Sequence, residues 1–109
     1  MSARLPKAVA GYLDAANAHA VDAALVPFAE EAVVKDEGRE HRGREAIRAW
    51  MEETARKYGP ITVEVKGVAQ TDGQTVASTL VAGNFPGSPA RLRYTFTLDD
   101  HVITRLEIG

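Results

Sequence analysis

From residue 90 to residue 98 the chain alternates without a break, with Ala90, Leu92, Tyr94, Phe96 and Leu98 on one side and Arg91, Arg93, Thr95 and Thr97 on the other. Successive side chains of a strand point to opposite faces, so this run has one face made for a core and one made for water. A sheet built on it is covered on one side only, which is the habit of antiparallel sheets. The neighbouring sequence supplies its partners. Ile61 to Gln70 and Thr75 to Phe85 read as strands joined by the turn Thr71-Asp72-Gly73-Gln74, and Asp-Gly is a strong hairpin signal. Pro86-Gly87-Ser88-Pro89 makes the next turn. After an Asp99-Asp100 turn, His101 to Ile108 reads as the last strand.

The cover for that apolar face has to come from the first half of the chain, and helical spacing appears there. Leu5, Val9, Tyr12, Leu13 and Ala16 share one stripe, with Pro6 at the helix start. A break at Asn17-Ala18-His19-Ala20 separates it from a shorter stripe of Val21, Ala24, Leu25 and Phe28, which Pro27 ends or kinks. Ala32 to Asp36 reads as a strand, Glu37-Gly38-Arg39-Glu40 as a turn and His41-Arg42 as a short return strand. A third helix carries Ile47, Trp50, Met51, Thr54 and Tyr58 on one face. On the other face, Glu52/Arg56 and Glu53/Lys57 stand at i, i+4, and Gly59-Pro60 stops the helix. The predicted fold is α+β, in the order ααββαββββ, with three helices packed into a strongly curved antiparallel sheet.

Length and charge narrow the function classes. A chain of 109 residues fits a single domain, residues 1–109, with room for a modest cavity. Thirteen basic against fifteen acidic residues leave a net charge of −2 with the signs interspersed, so neither nucleic acid nor an anionic membrane surface is an expected partner. There is no cysteine, and the three histidines are scattered, so no metal site is expected. No glycine-rich phosphate loop or nucleophile elbow is present, and no cofactor is expected. Residues 1–7 lack the apolar run of a signal peptide and no stretch is long enough to span a bilayer, so a cytoplasmic location is the expectation.

Several local sequences carry a resemblance. Tyr12 to His19, then Pro27-Phe28-Ala29-Glu30-Glu31-Ala32-Val33-Val34-Lys35-Asp36, then His41-Arg42-Gly43-Arg44-Glu45-Ala46-Ile47-Arg48-Ala49-Trp50 follow one another in this order. Together they resemble the superfamily of nuclear transport factor 2, the SnoaL-like polyketide cyclases and ketosteroid isomerase, over nearly the whole chain. The resemblance implies a cone in which a bent sheet wraps the helices around an apolar cavity, and often a homodimer. It also implies that Tyr12 and Asp36 stand where ketosteroid isomerase carries an oxyanion-donating tyrosine and a proton-shuttling aspartate. The isomerase's second donor, a protonated late-strand aspartate, falls near Tyr94 with no acid on the same inward face. The supporting tyrosine of its third helix falls on Met51, which cannot donate. Steroid isomerisation is therefore not expected.

Read from the residues alone, Asp36 and Tyr12 each keep two readings. Asp36 shares a strand face with Ala32 and Val34, which makes it a desolvated carboxylate suited to general-base work, or else a strand-end group accepting N–H bonds from the following turn. Tyr12 is a donor to a developing oxyanion, or an amphipathic tyrosine packing its ring and wetting its hydroxyl. Phe28, Trp50, Met51, Tyr58, Tyr94 and Phe96 sit on inward faces as core or as ligand contacts, and His41 falls near the cone's mouth. His19 and His101 read as surface residues. The expected function is the binding of a small, apolar, carbonyl-containing metabolite, with isomerase or cyclase chemistry through Asp36 and Tyr12. The alternative is a non-catalytic ligand-binding or dimerisation domain. A homodimer is expected through the outer sheet face, where Arg91, Arg93, Thr95, Thr97 and Ile103 are candidates.

Overall fold

A computed structural model describes residues 5–109, so the part of the leader-free reading that rests on residues 1–4 lies outside the described residues. Nine elements follow the expected order. Helix α1 spans Lys7–Asn17, α2 Val21–Leu25 and α3 Arg44–Tyr58. The strands are β1 (Phe28–Asp36), β2 (Arg39–Arg42), β3 (Thr62–Thr71), β4 (Gln74–Ala82), β5 (Ala90–Asp99) and β6 (Val102–Ile108). They form one sheet in the order β2-β1-β6-β5-β4-β3. The expectation of an antiparallel sheet needs one correction, because β1 runs parallel to β6 while every other neighbouring pair is antiparallel. The cause is the long connection through β2 and α3, which returns the chain to the far side of the sheet.

Alternation in β5 works as its sequence demands. Tyr94 and Phe96 are buried, Arg91 and Arg93 are exposed, and the face carrying Ala77, Val81, Tyr94 and Phe96 meets Val9, Tyr12 and Leu13 of α1 in one core. Tyr12 packs edge-on against Phe28 and Phe96, with ring centres 5.3 and 5.9 Å away. Helix α3 lies against β1 and β2, while α1 lies against β3 and β6.

Two local features differ from the sequence reading. Phe28 is not the end of a second helical stripe. It opens β1, because Pro27 cannot continue the helix and its carbonyl accepts the Ile103 N–H of β6. The β1–β6 pairing then shifts register between Phe28 and Val33. The Phe28 carbonyl accepts instead from the guanidinium of Arg44, at 3.1 Å from Nε and 2.6 Å from Nη2, which ties the start of α3 to the start of β1. Ile103 is fully buried and belongs to the core, so it is not available to the outer sheet face. An irregularity in the β5–β6 ladder between Thr97 and Leu98 offsets the simple alternation there.

Candidate functional site

Asp36 is the last residue of β1, and the two residues after it decide where it stands. Glu37 and Gly38 have φ values of 52° and 76°, the twin left-handed conformations of a tight hairpin turn, and Asp36 pairs across the turn with Arg39. A glycine at the second position takes this geometry without steric cost. The turn starts at Glu37 as the sequence reading has it but takes two residues rather than four, so β2 begins at Arg39 instead of His41. Asp36 is half-buried, and the turn leaves its side chain on the wall of a cavity of about 820 Å³.

That cavity runs between the helices and the inner sheet face. Its wall is mostly apolar, with Ala16, Ala24, Met51, Val63, Val81 and Leu92 among its residues. Six of the sequence candidates line it: Asp36, Tyr12, Trp50, Met51, Tyr58 and Tyr94. Three do not. Phe28 and Phe96 are fully buried behind Tyr12 as core, and His41 lies on the far side of Trp50, with ring centres 6.2 Å apart. Trp50 is half-buried rather than deeply packed, and of the α3 stripe only Ile47 is fully buried.

The polar groups of the cavity fall into two sets. Deep in the pocket stand Tyr12 and Tyr94. Neither hydroxyl has a hydrogen-bond partner among the described residues, and no buried side-chain oxygen or nitrogen among them is left unpaired, so both hydroxyls open into the cavity. Burial pushes both phenols above the usual tyrosine range, and the nearby Asp36 carboxylate adds to the shift, so both stay protonated donors. Beside them, Asp36 Oδ2 accepts the indole N–H of Trp50 at 3.1 Å. Burial raises the Asp36 carboxyl above the ordinary aspartate value. The Trp50 hydrogen bond opposes that rise, the charge of Glu37 adds to it, and the Glu37 backbone N–H and His41 oppose it. Half-buried at the end of β1, Asp36 is thus desolvated on the cavity side and lies against the backbone of the following turn.

The second set lies at the mouth. Tyr58 O–H donates to Glu37 Oε1 at 2.7 Å, its ring meets Phe85 edge-on at 5.6 Å, and the Lys57 ammonium lies 5.0 Å from the ring centre. His19, exposed as the sequence reading has it, and the exposed Glu37 line this end. Asn17 was also unremarkable in sequence. Its side-chain amide donates to the Val63 carbonyl at 2.9 Å and accepts the Val63 N–H at 2.7 Å, docking the end of α1 onto β3 beside the cavity. An asparagine at the last turn of a helix, just before a break, is the one signal that could have flagged it. A larger hollow of about 1140 Å³ lies on the opposite sheet face, lined by Lys35, Lys66, Arg91, Arg93 and Thr95 among others. It holds none of the candidate site residues. Among the described residues no cluster of metal-ligating side chains occurs, and no helix is long and apolar enough to cross a membrane.

With this geometry in place the chain can be compared with known proteins. A model of the SnoaL-like domain matches residues 9–106, and the chain belongs to that family. A Sinorhizobium meliloti protein provisionally named a polyketide cyclase is 37% identical over 96% of this chain and 95% of its own, with a TM-score of 0.93. A Catenulispora acidiphila protein with a ketosteroid isomerase-like fold, solved in complex with trimethylamine, shares the fold at 18% identity, with 97% and 86% of the two chains covered and a TM-score of 0.85. A Xanthomonas campestris protein, also provisionally named a polyketide cyclase, shares it at 22% identity, 93% and 85% coverage and a TM-score of 0.79. No curated protein matched the sequence. The fold is α+β of the kind found in nuclear transport factor 2, with its sheet bent around three helices.

Proposed function

We propose that this SnoaL-like domain is a cofactor-independent acid/base catalyst for a small, largely apolar carbonyl compound. One observation carries the reading: a half-buried carboxylate and two unpartnered phenols share a single apolar cavity of about 820 Å³. The volume falls in the range of small-molecule sites, and the few polar groups converge rather than scatter. Asp36 takes a proton from the carbon next to the carbonyl. The electron pair released moves onto the carbonyl oxygen, which accepts a hydrogen bond from Tyr12, with Tyr94 beside it. The proton then returns to a different carbon, which is isomerisation, or the enolate carbon attacks a second carbonyl of the same molecule and the proton held by Asp36 passes to the alkoxide so formed, which is cyclisation. Trp50, Met51 and Tyr58 are the other ligand contacts in this reading. Phe28 and Phe96 act by backing the phenols, and His41 acts from behind Trp50, bracing its ring and favouring the charged Asp36.

Exchange of the α-protons of a cyclic enone in D2O, followed by proton NMR, tests the base. Asp36→Asn should slow the enzyme-dependent exchange by about 10²–10⁴-fold, and Tyr12→Phe should slow it too. Exchange no faster with the wild type than with Asp36→Asn would remove the base. A second reading is favoured by the cavity's charge: two carboxylates line it, Asp36 and Glu37, while among the described residues no lysine or arginine lines it and Lys57 stands outside at the mouth against Tyr58. In that reading Asp36 is a counter-charge for a bound ligand and the domain holds its ligand without reaction. Ligand binding without exchange, weakened by Asp36→Asn, would select it.

A further inference from the structure

A carboxylate can serve as a base toward carbon only if its plane is fixed relative to the substrate, and an aspartate at the end of a strand turns freely about its terminal bond unless something holds it. Around Asp36 the neighbouring elements bring Tyr12 from α1, Tyr94 from β5, Trp50 from α3, and Glu37 and His41 from the β1–β2 hairpin. Among these side chains, only Trp50 donates a hydrogen bond to the carboxylate. The two phenols are left for whatever enters the cavity.

We infer that Trp50 is the positioning residue of Asp36, its rigid indole N–H holding Oδ2 so that the carboxylate presents a fixed edge to the cavity. The inference rests on the acid/base reading above for the purpose of the hold, and on geometry for the hold itself. The indole is well suited to this role. It is a donor with no acceptor site, so it supports the ionised or the outward-protonated carboxyl without competing for a substrate proton. Its ring is braced by His41 on one side and lines the cavity on the other. Met51, the next residue on the helix and also in the wall, has no proton to give. A tryptophan kept only for packing would be expected deeper. Trp50 is half-buried, while Ile47, one turn earlier on the same helix, is fully enclosed.

Trp50 is the chain's only tryptophan, so 15N-labelled protein shows one indole N–H resonance. That resonance should move with the Asp36 carboxyl, read by 13C, as pH is stepped through its midpoint. Measuring it also in Glu37→Gln and His41→Gln backgrounds removes the two other hairpin groups that could titrate alongside. Replacing Trp50 with 3-benzothienylalanine keeps the ring's shape and puts sulfur in place of the N–H. Asp36 in that protein should bind its proton roughly tenfold more tightly, the effect of losing one hydrogen bond to a charged group. Trp50→Phe should shift it the same way. A flat indole resonance across the Asp36 midpoint, or an unchanged midpoint in the benzothienyl protein, overturns the inference. The enone exchange assay separates the two ideas. Linked titrations without exchange leave the hold standing and remove the base, whereas exchange with unchanged kcat in the benzothienyl protein leaves the base and removes the hold. If both stand, kcat falls and KM does not.

Discussion

Asp36 sits where apolar wall meets open cavity, and among the described residues no lysine or arginine along that wall offsets its charge. Its carboxyl is therefore raised, first by desolvation and then by Glu37, against the pull of Trp50. An acid that binds its proton more tightly in the folded chain than in the unfolded one stabilises the fold fully below the ordinary aspartate value of about 3.9, and that contribution is lost as pH climbs through the raised value. The stability of the wild type minus that of Asp36→Asn should thus fall between about pH 3.5 and neutrality, by urea unfolding at several pH values. A difference that grows with pH would mean that the turn and indole bonds outweigh burial. Trp50 and Phe96 make the other contrast at this scale. Phe96 is fully enclosed, so Phe96→Ala should cost about 3–5 kcal/mol. Trp50 lines an open cavity, and Trp50→Ala should cost clearly less in the same denaturant series. The reverse order would mean that the cavity collapses around the indole.

Among the elements, those whose sequence states its own geometry were legible, and those fixed by distant partners were not. The third helix, the Asp72-Gly73 hairpin and the alternation of β5 follow from spacing alone, and Asp36 and Tyr12 could be placed on inward faces by the same means. The extension of β1 back to Phe28 could not, because it depends on Pro27 and Arg44 meeting partners on β6 and β1. The parallel β1–β6 pair and the Asn17 clamp are likewise tertiary facts without a local signature. The clamp can be tested directly. Asn17→Ala strands the N–H and carbonyl of Val63, both part-buried, and should cost about 1–3 kcal/mol. Exchange of the Val63 amide should quicken more than that of its neighbours on β3. An unchanged Val63 amide would show that water replaces the side chain without loss.

For the whole molecule, the outer sheet face is where a second copy is expected. Arg91 and Arg93 stand exposed on β5, next to Thr95 and Thr97, over a hollow of about 1140 Å³ that Lys35 and Lys66 also line. Acids interleave with these cations. Lys66 lies 3.3 Å from Glu64, and Arg105 bridges Glu40 and Glu107 at 2.8 Å each. Arg91 and Arg93 have no such partner among the described residues. A two-fold contact is self-complementary, so it can bring the unpaired arginines of one copy against the Glu64 or Glu107 edge of the other. Ile103 cannot contribute, so the contact should be polar at its rim and weaken as salt is added. Sedimentation velocity at micromolar concentration should show a dimer in low salt, and the double variant Arg91→Glu, Arg93→Glu should sediment as a folded monomer with an unchanged circular dichroism spectrum. A wild type that sediments as a monomer across the micromolar range, or a double variant that still pairs, would put the contact elsewhere or remove it.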